Sequence, residues 1–325
     1  MITNQALNWA IKKLRKNKIS SPALDAEILL AFTIKKPKEF LFAHPEKKLT
    51  GKELAKFKKL IARRAKHEPI AYITDHKYFY GLDFFVNKNV LIPRPETEIL
   101  VEQVLKIVEQ PPHLNPLPNG ARRHSLPFGE RVGVRGNQPL AIIDVGTGSG
   151  AIAVSLARRL PGAKIFATEI SPGALTVAKK NIKHHKVAVE LLRGNLLEPL
   201  LKRIMNYELR IKELIVVANL PYLTTKQWSA TQLEIKKYEP RQALDGGPDG
   251  LKYHKQLLQQ IKLLVTRYLP RRQAGSLPVT SIFEIDPSQT KPITKIIQAH
   301  FPATEIKIKK DLAGRDRIVI LDISY

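Results

Sequence analysis

The hydrophobic pattern along this chain changes its period and divides the chain into three parts. Over residues 1–70, apolar residues recur at helical spacing, and Thr50 with Glu53 forms a capping-box pattern that starts a helix. Residues 71–95 contain aromatic and apolar runs typical of strands. After a Pro- and Gly-rich stretch, short apolar runs alternate with helical patterns. The pattern predicts an N-terminal helical domain, a connector and an α/β domain.

The connector, residues 71–95, is predicted to contain a β-hairpin followed by a Pro-rich turn. Strand-like residues begin at Tyr72 and Ile73 and continue to Val86. The prolines of the following Pro-Arg-Pro-Glu-Thr-Glu run stiffen the chain, and its Glu96 or Thr97 is expected to start a helix over 99–109.

The rest of the chain, apart from 111–139, alternates predicted strands with predicted helices. Such alternation indicates a parallel sheet with helices on both faces, in which ligands bind at the carboxyl ends of the strands. The predicted strands are Leu140–Val145, Lys164–Thr168, Val187–Leu192, Leu214–Ala218, Val279–Ile285, Glu305–Lys310 and Arg317–Ile323. Residues 111–139 are rich in Pro, Gly and Arg and have no periodicity, so a disordered insertion is expected there.

Composition narrows the class of protein. The 325 residues are 43% hydrophobic, which fits a globular protein. There are no cysteines, so disulfides and thiolate metal sites are excluded, and no other metal-binding pattern stands out. Neither a signal peptide nor a stretch of 18 apolar residues is found. These features predict a cytoplasmic protein that binds no membrane.

The formal charge of +25 favours association with polyanions such as RNA. Residues 1–70 alone hold 17 Lys and Arg against six Asp and Glu. The basic residues are spread along the chain and are not interleaved with aromatic residues. Specific nucleic-acid binding is therefore not expected, although the charge leaves it open.

A glycine-rich loop follows the predicted strand at 140–145. Gly146-Thr147-Gly148-Ser149-Gly150 allows a tight turn and close approach of a ligand to the backbone, and a helix N-terminus follows it. Glu169, after the next strand, has the carboxylate that can bind both hydroxyls of a ribose. Asn195, after the third strand, is either an adenine-binding residue or an ordinary turn residue. These residues fit a nicotinamide dinucleotide and S-adenosylmethionine equally well.

The Asn219-Leu220-Pro221-Tyr222 sequence decides between those cofactors. It ends the predicted strand at 214–218, and Pro221 stiffens the turn. The Asn219 side-chain oxygen and the Leu220 carbonyl can accept two N–H bonds, and the Tyr222 ring can cover a flat group. Such a clamp suits a planar NH2 group, which hydride transfer does not need and methylation of nitrogen does.

Several stretches of the chain resemble the bacterial release-factor glutamine N5-methyltransferases, the HemK/PrmC family. The Pro-Arg-Pro-Glu-Thr-Glu run at 93–98 and the Glu-Pro-x-x-Ala-Leu-x-Gly-Gly run at 239–247 are the most specific, whereas many methyltransferases share the glycine loop. The resemblance covers nearly the whole chain apart from 111–139. Its other matching stretches are residues 68–73, 79–82, 91–92, 144–153, 219–222, 238 and 311–317.

The resemblance implies a seven-stranded, mostly parallel Rossmann-like methyltransferase sheet over 96–325, with a small helical-bundle domain for substrate recognition over 1–70. It implies S-adenosylmethionine as cofactor and methylation of the glutamine in the Gly-Gly-Gln loop of class 1 peptide chain release factors. By position, the implied cofactor-binding residues are Gly146, Thr147, Gly148, Ser149, Gly150, Glu169, Asn195, Leu196 and Asn219. The implied substrate-binding residues are Asn219, Leu220, Pro221 and Tyr222, with Asn219, Pro221 and Tyr222 catalytic.

Three features depart from the family pattern. Leu220 replaces a Pro, Asn195 stands where an Asp is usual, and residues 111–139 interrupt the approach to the first strand. Only the backbone carbonyl of residue 220 is needed, so the clamp is expected to survive. Asn-Leu-Pro-Tyr also resembles the motif of ribosomal RNA adenine dimethylases. An RNA or DNA adenine N6-methyltransferase is therefore the alternative, and a non-enzymatic cofactor-binding or ribosome-associated protein is a third hypothesis.

Overall fold

The computed structural model describes residues 1–109, 140–205, 213–268 and 278–323. The chain forms two compact units. The first contains Met1–Lys77, Val86–Lys88 and Thr231–Glu239, and the second contains Tyr78–Phe85, Asn89–Ala230 and Pro240–Tyr325. The insertion predicted at 111–139 lies outside the described residues.

The first unit is helical, as the spacing of its apolar residues predicts. The capping box at the start of α4 is confirmed: Thr50 Oγ1 accepts from the Glu53 N–H at 3.2 Å, and the Thr50 N–H donates to Glu53 Oε2 at 2.8 Å. The helices of this unit are α1 (Thr3–Lys16), α2 (Pro22–Ile34), α3 (Lys38–Ala43), α4 (Gly51–Arg64), α5 (Ile70–Thr74) and α11 (Leu233–Tyr238).

The segment 231–239 belongs to the first unit because a buried arginine holds it there. The Arg64 side chain is 4% exposed and pairs with Asp25 at 2.6 Å and with Glu234 at 2.8 Å. The Tyr238 hydroxyl also donates to the Lys66 carbonyl at 2.9 Å. Two carboxylates and the backbone satisfy this guanidinium, as a buried charge requires.

The strand predicted to begin at Tyr72 and Ile73 is wrong, because these residues lie in the short helix α5. Ile73 is buried in the core that the other helices of this unit form, so tertiary packing overrides its β propensity. Pro69 precedes the helix, and Asp75 ends it in the left-handed conformation. The hairpin strands then follow as β1 (His76–Phe79) and β2 (Leu82–Phe85).

The second unit contains the predicted seven-stranded, mostly parallel sheet. Its order is β5-β4-β3-β6-β7-β9-β8, and β9 pairs antiparallel with both of its neighbours. The strands are β3 (Leu140–Val145), β4 (Lys164–Glu169), β5 (Glu190–Arg193), β6 (Glu213–Ala218), β7 (Val279–Glu284), β8 (Glu305–Lys310) and β9 (Asp316–Ile323). The central strands β3 and β7 are buried along their whole length, as expected for a sheet covered on both faces.

Helices cover the faces of this sheet. Neither Glu96 nor Thr97 starts a helix by capping it; both lie in a 3-10 turn, Pro95–Thr97, and α6 begins at Glu98. The helices are α6 (Glu98–Glu109), α7 (Ala151–Arg159), α8 (Pro172–His185), α9 (Glu198–Met205), α10 (Thr225–Ser229), α12 (Lys252–Leu263) and α13 (Thr290–His300). In the part of the chain described, no helix is long and apolar enough to span a membrane.

The order of the strands creates a switch point between β3 and β6. From β3 the chain moves outward to β4 and β5, and it then returns to β6 on the other side of β3. Val145 and Ala218, the last residues of these two strands, are register partners. The glycine loop and the Asn219–Tyr222 segment therefore leave the sheet side by side, where α/β proteins bind their ligands.

The turn between β8 and β9 is stabilised by Asp311. Its carboxylate accepts from the N–H groups of Ala313 and Arg315, each at 3.0 Å, and from the guanidinium groups of Arg315 at 3.1 Å and Arg317 at 3.2 Å. These donors, led by the Arg315 backbone, lower the pKa of Asp311 to about 2.

We expect Asp311→Asn to lower the melting temperature at neutral pH. A carboxylate with a depressed pKa stabilises the fold above its unfolded pKa, and this contribution is lost as the pH falls through its folded pKa. The difference between wild type and variant should therefore shrink as the pH falls from about 5 towards about 3. Thermal unfolding at several pH values measures it. Glu305→Gln, which removes an exposed charge from β8, is the control and should change little; an equally large effect there would contradict the prediction.

Candidate active site

The glycine loop, Gly146–Gly150, leaves its backbone open to a ligand. Gly146, Gly148 and Gly150 have φ values of 73°, 57° and 82°, which side chains disfavour. A methyl group built on Gly148 would meet only the Gly146 carbonyl oxygen, at 4.0 Å. A methyl group on Gly150 would instead meet Ala178 at 3.4 Å, so this glycine allows α7 and α8 to pack closely.

Asp144, the fifth residue of β3, fixes the conformation of this loop by hydrogen bonds. Its Oδ2 accepts from the Thr147 hydroxyl at 2.5 Å and from the Ala153 N–H at 3.1 Å. Burial raises the pKa of Asp144 to about 7, although the two donors oppose the shift. The loop is therefore held by side-chain bonds to its own strand and helix before any ligand binds.

Glu169 lies at the end of β4 beside the glycine loop, as predicted from the sequence. Its Oε2 accepts from the Gly148 N–H at 3.0 Å and its Oε1 from the Ser171 N–H at 2.9 Å. A carboxylate has about four lone-pair sites, and the described residues use two of them, so two remain for ligand hydroxyls. The loop after β5 also returns to this strand end, because the Gly194 N–H donates to the Glu169 carbonyl at 3.1 Å.

Asn195 and Leu196 follow β5. The Asn195 amide donates to Glu198 Oε1 at 3.1 Å, which is the contact of a turn residue. Leu196 is buried and has a φ of 50°, an uncommon conformation for a leucine. The structure thus describes a tight turn here, and the roles of both residues towards a cofactor remain predictions.

Leu220 connects the two halves of the site. Its side chain is 3% exposed, and its Cδ2 atom would lie 3.5 Å from a methyl group built on Gly146. The side chain therefore fills the space beneath the glycine loop. Among the described residues, no hydrogen-bond donor contacts the Leu220 carbonyl, which stays available to a ligand.

The Asn219 amide is oriented by a neighbouring hydroxyl. Asn219 Nδ2 donates to Thr97 Oγ1 at 2.9 Å, while no described residue donates to Asn219 Oδ1. An Asn held in this way presents an acceptor, which the sequence predicts for this position. The Leu220 carbonyl, on the next residue, is a second acceptor.

Tyr222 is fixed through its hydroxyl. The hydroxyl donates to Glu284 Oε1 at 3.1 Å, and the Thr97 hydroxyl donates to the other oxygen of the same carboxylate at 2.8 Å. Burial and the charge of Glu284 raise the pKa of Tyr222, so the phenol stays protonated and remains a donor. The position of the ring is therefore set by a bond at its far end.

Two glycines, Gly246 and Gly250, allow the segment 246–250 to pack directly against the backbone of the Asn219–Tyr222 turn. A methyl group on Gly246 would overlap the Pro221 carbonyl oxygen, and one on Gly250, whose φ is 70°, would overlap the Tyr222 carbonyl oxygen. Gln289 Nε2 donates to that same Tyr222 oxygen at 2.8 Å. The Gly246 N–H also donates to the Leu223 carbonyl at 2.8 Å. This packing explains why positions 246 and 250 are both glycine.

Sequence reasoning missed four side chains that build the site. The sequence indicates a helix start at Thr97 and an ordinary strand residue at Glu284, and it gives Gln289 no role. Asn181 was not singled out, yet it is completely buried and bonds to both the N–H and the C=O of Phe85 and to the Ser149 carbonyl. A polar residue within an apolar run, such as Glu284 in β7, is the signal that could have identified one of them.

These features together define a class of protein. The domain has a seven-stranded sheet with one antiparallel strand. A glycine loop follows the first strand of this sheet and an acidic residue ends the second, which is typical of domains that bind a nucleotide-type cofactor. At the end of the fourth strand, two neighbouring oxygens, Asn219 Oδ1 and the Leu220 carbonyl, have the geometry to accept from a planar NH2 group. The class is that of methyltransferases acting on nitrogen.

The comparisons with known proteins give the family. Residues 5–74 match the PrmC N-terminal domain, and residues 142–237 match a methyltransferase domain. The release factor glutamine methyltransferase of Moorella thermoacetica is 35% identical, over 98% of this chain and 97% of that protein. The release factor glutamine methyltransferase of Geobacter sulfurreducens is 36% identical, over 77% of this chain and 76% of that protein. The chain belongs to the release factor glutamine methyltransferase family and is a methyltransferase.

A solved structure supports the fold separately. The hMettl16 catalytic domain in complex with an RNA hairpin has a TM-score of 0.50 and covers 90% of each chain. Its identity to this chain is 13%, so the likeness concerns the fold alone.

The methyltransferase domain implies a methyl donor of the S-adenosylmethionine type. The glycine loop and Glu169 fit such a molecule. The open backbone at Gly148 can admit the polar end of such a molecule, and the unused lone pairs of Glu169 can accept from two ribose hydroxyls. Both groups lie on the switch-point edge of the sheet, beside the clamp.

We expect Gly250→Ala to disrupt the site. A left-handed conformation costs a non-glycine residue about 1–3 kcal/mol, and overlap with the Tyr222 carbonyl adds to this cost. The variant should be less stable in urea and should lose methyltransferase activity. Gly51→Ala is the control, because nothing lies within 4 Å of a methyl group there and the residue begins α4. It should be neutral or slightly stabilising; wild-type stability and activity in Gly250→Ala would refute the expected overlap.

Proposed function

We propose that this protein methylates the side-chain amide nitrogen of the glutamine in the Gly-Gly-Gln loop of class 1 peptide chain release factors. S-adenosylmethionine is the donor, and the modification modulates translation termination. Membership of the release factor glutamine methyltransferase family supports this substrate. A release factor acts at the ribosome, so we place the enzyme in the cytoplasm. Specific binding to nucleic acid is no part of the proposal.

The observation that carries the proposal is the pair of acceptors at the end of β6. Asn219 Oδ1 and the Leu220 carbonyl receive no hydrogen bond from the described residues, while the other end of the Asn219 amide is bound to Thr97. A glutamine amide has two N–H donors on one nitrogen. Two adjacent carbonyl-type acceptors match them, and the amide is thereby distinguished from a hydroxyl or a carboxylate.

The residues of the glycine loop would bind the cofactor. Gly146–Gly150 would contact its amino-acid end, Glu169 the ribose, and Asn195 with Leu196 the adenine. Bound S-adenosylmethionine supplies a methyl group on a positively charged sulfur, which is an electrophile. Leu220 packs beneath Gly146, so one residue supports the loop and also provides an acceptor for the substrate.

The clamp must overcome the weak nucleophilicity of an amide nitrogen, whose lone pair is delocalised into the carbonyl. Asn219 and Leu220 would hold the two N–H bonds and so direct the nitrogen towards the methyl group. Positioning of this kind can contribute roughly 7–11 kcal/mol. Pro221 restrains the Leu220 carbonyl, and Tyr222 would pack against the amide plane. The nitrogen becomes acidic as it is methylated, so a carbonyl acceptor or water suffices to take its proton.

A labelling experiment tests the substrate. The protein is incubated with methyl-labelled S-adenosylmethionine, purified release factor and ribosomal RNA. Label should enter the release factor and should be absent from a release factor whose loop glutamine is replaced by alanine. Label on RNA alone would mean an adenine methyltransferase, and no label on either would mean that the protein is not an enzyme for these substrates.

We expect Asn219→Ala to reduce kcat by on the order of 10²-fold or more, because misplacing a reacting group has effects of this size. Affinity for S-adenosylhomocysteine, measured by calorimetry, should stay close to that of the wild type. Gln298→Ala, which removes an exposed amide from α13, is the matched control and should retain activity. Full turnover by Asn219→Ala would eliminate the clamp.

A further inference from the structure

A buried carboxylate lies behind the clamp and is not assigned a role by the proposed reaction. Glu284, the last residue of β7, is 1% exposed. Its two oxygens accept separately, one from the Tyr222 hydroxyl at 3.1 Å and the other from the Thr97 hydroxyl at 2.8 Å. A buried carboxylate normally needs a partner of opposite charge or several donors. Here the donors are two residues that contact or form the clamp.

The direction of these hydrogen bonds determines which end of the Asn219 amide faces the substrate. Burial raises the pKa of Glu284, so the network has one arrangement for the ionised carboxylate and another for the neutral acid. When Glu284 is ionised it can only accept, and the single hydroxyl proton of Thr97 then points at it. The Thr97 oxygen is then left as an acceptor. It bonds to Asn219 Nδ2 at 2.9 Å, and Asn219 Oδ1 consequently points away from Thr97.

The opposite arrangement would make the clamp unsuitable for an amide. A neutral Glu284 could donate a proton to the Thr97 oxygen, and the Thr97 hydroxyl would then donate to Asn219. Asn219 would turn its Oδ1 towards Thr97 and present its NH2 group to the substrate. Two NH2 groups would then face each other, and neither could accept.

We propose that Glu284 and Thr97 are positioning residues that set the amide orientation of Asn219 and thereby make it an acceptor for the substrate nitrogen. The inference rests on the proposed function, because it assumes that the substrate presents an NH2 group. In this arrangement the Glu284 carboxylate does not contact the substrate. It acts through the Thr97 hydroxyl, which turns the oxygen of the Asn219 amide towards the substrate.

Charged and titratable groups from several elements surround Glu284. Burial raises its pKa, which the hydroxyls of Thr97 and Tyr222 and the charge of Arg317 on β9 oppose, while Glu96 in the 3-10 turn adds to the increase. His254 on α12 bonds to the Glu284 carbonyl at 3.1 Å. Burial lowers the pKa of His254 to about 4, so this imidazole is neutral near pH 7 and donates to that carbonyl.

Substitutions at Thr97 separate the hydroxyl from the shape of the side chain. Thr97→Val keeps the volume and removes the hydroxyl, and we expect kcat to fall by about 10- to 100-fold with a small change in KM. Thr97→Ser retains the hydroxyl and should restore most of kcat. Thr280→Val makes the same change at a buried position earlier in β7 and should behave as wild type. Wild-type kcat in Thr97→Val would overturn the proposal.

The pH dependence of kcat tests the role of the charge. The wild type should lose activity as the pH falls through the raised pKa of Glu284, because the protonated acid can reverse the hydrogen bonds. Glu284→Gln should have low kcat at every pH and should lack this acidic limb, while its cofactor affinity is retained. A Glu284→Gln enzyme with wild-type kcat and an unchanged acidic limb would overturn the proposal.

A measurement without substrate distinguishes failure of this inference from failure of the proposed function. The side-chain NH2 signal of Asn219, assigned in nuclear magnetic resonance spectra by its loss in Asn219→Asp, should exchange slowly with solvent in the wild type. It should exchange faster in Thr97→Val and remain slow in Thr97→Ser and Thr280→Val. Equal exchange in all variants would overturn the orientation. Slow exchange in an enzyme that does not label a release factor would instead mean that the substrate is wrong and the orientation correct.

Discussion

The site depends on one buried carboxylate, Glu284. An ionised carboxylate removed from water destabilises a protein unless donors surround it. Here the donors are the hydroxyls of Thr97 and Tyr222, with the charge of Arg317 nearby. Because each donor is also a part or a neighbour of the proposed clamp, the hydrogen bonds that satisfy the carboxylate also fix the positions of Tyr222 and Asn219. The same hydrogen bonds therefore stabilise the buried Glu284 carboxylate and position the side chains of Tyr222 and Asn219.

Close backbone packing is the second constraint. Gly246 and Gly250 lie so near the carbonyls of Pro221 and Tyr222 that no side chain fits at either position. On the other side, Leu220 packs beneath Gly146. The clamp is thus held between the glycine loop and the Gly246–Gly250 segment. A turn restrained on both sides changes little when substrate binds, which is the condition for positioning to contribute to catalysis.

Much of the fold follows from local pattern. The alternation of strands and helices predicts the sheet, because the spacing of apolar residues reflects which faces are buried. The prediction fails at Tyr72 and Ile73, where β-prone residues form a helix because Ile73 enters the core of the helical unit. Short elements have few local interactions, so tertiary contacts decide their conformation. Thr97 was misread for a related reason, since its partners lie more than a hundred residues away along the chain.

The sequence by itself predicted a nucleotide-type cofactor site and a pair of acceptors for a planar NH2 group. Glycine spacing, an acid after the second strand and an Asn-x-Pro-Tyr turn are local features, and a local feature can be read without the fold. The orientation of the Asn219 amide was decided only by the tertiary structure. It depends on a hydroxyl from the turn before α6 and a carboxylate from β7, and no sequence spacing relates these residues. Hydrogen-bond direction is set by neighbours in space, so only the folded chain shows that the NH2 end of Asn219 bonds to Thr97 and that its oxygen points elsewhere.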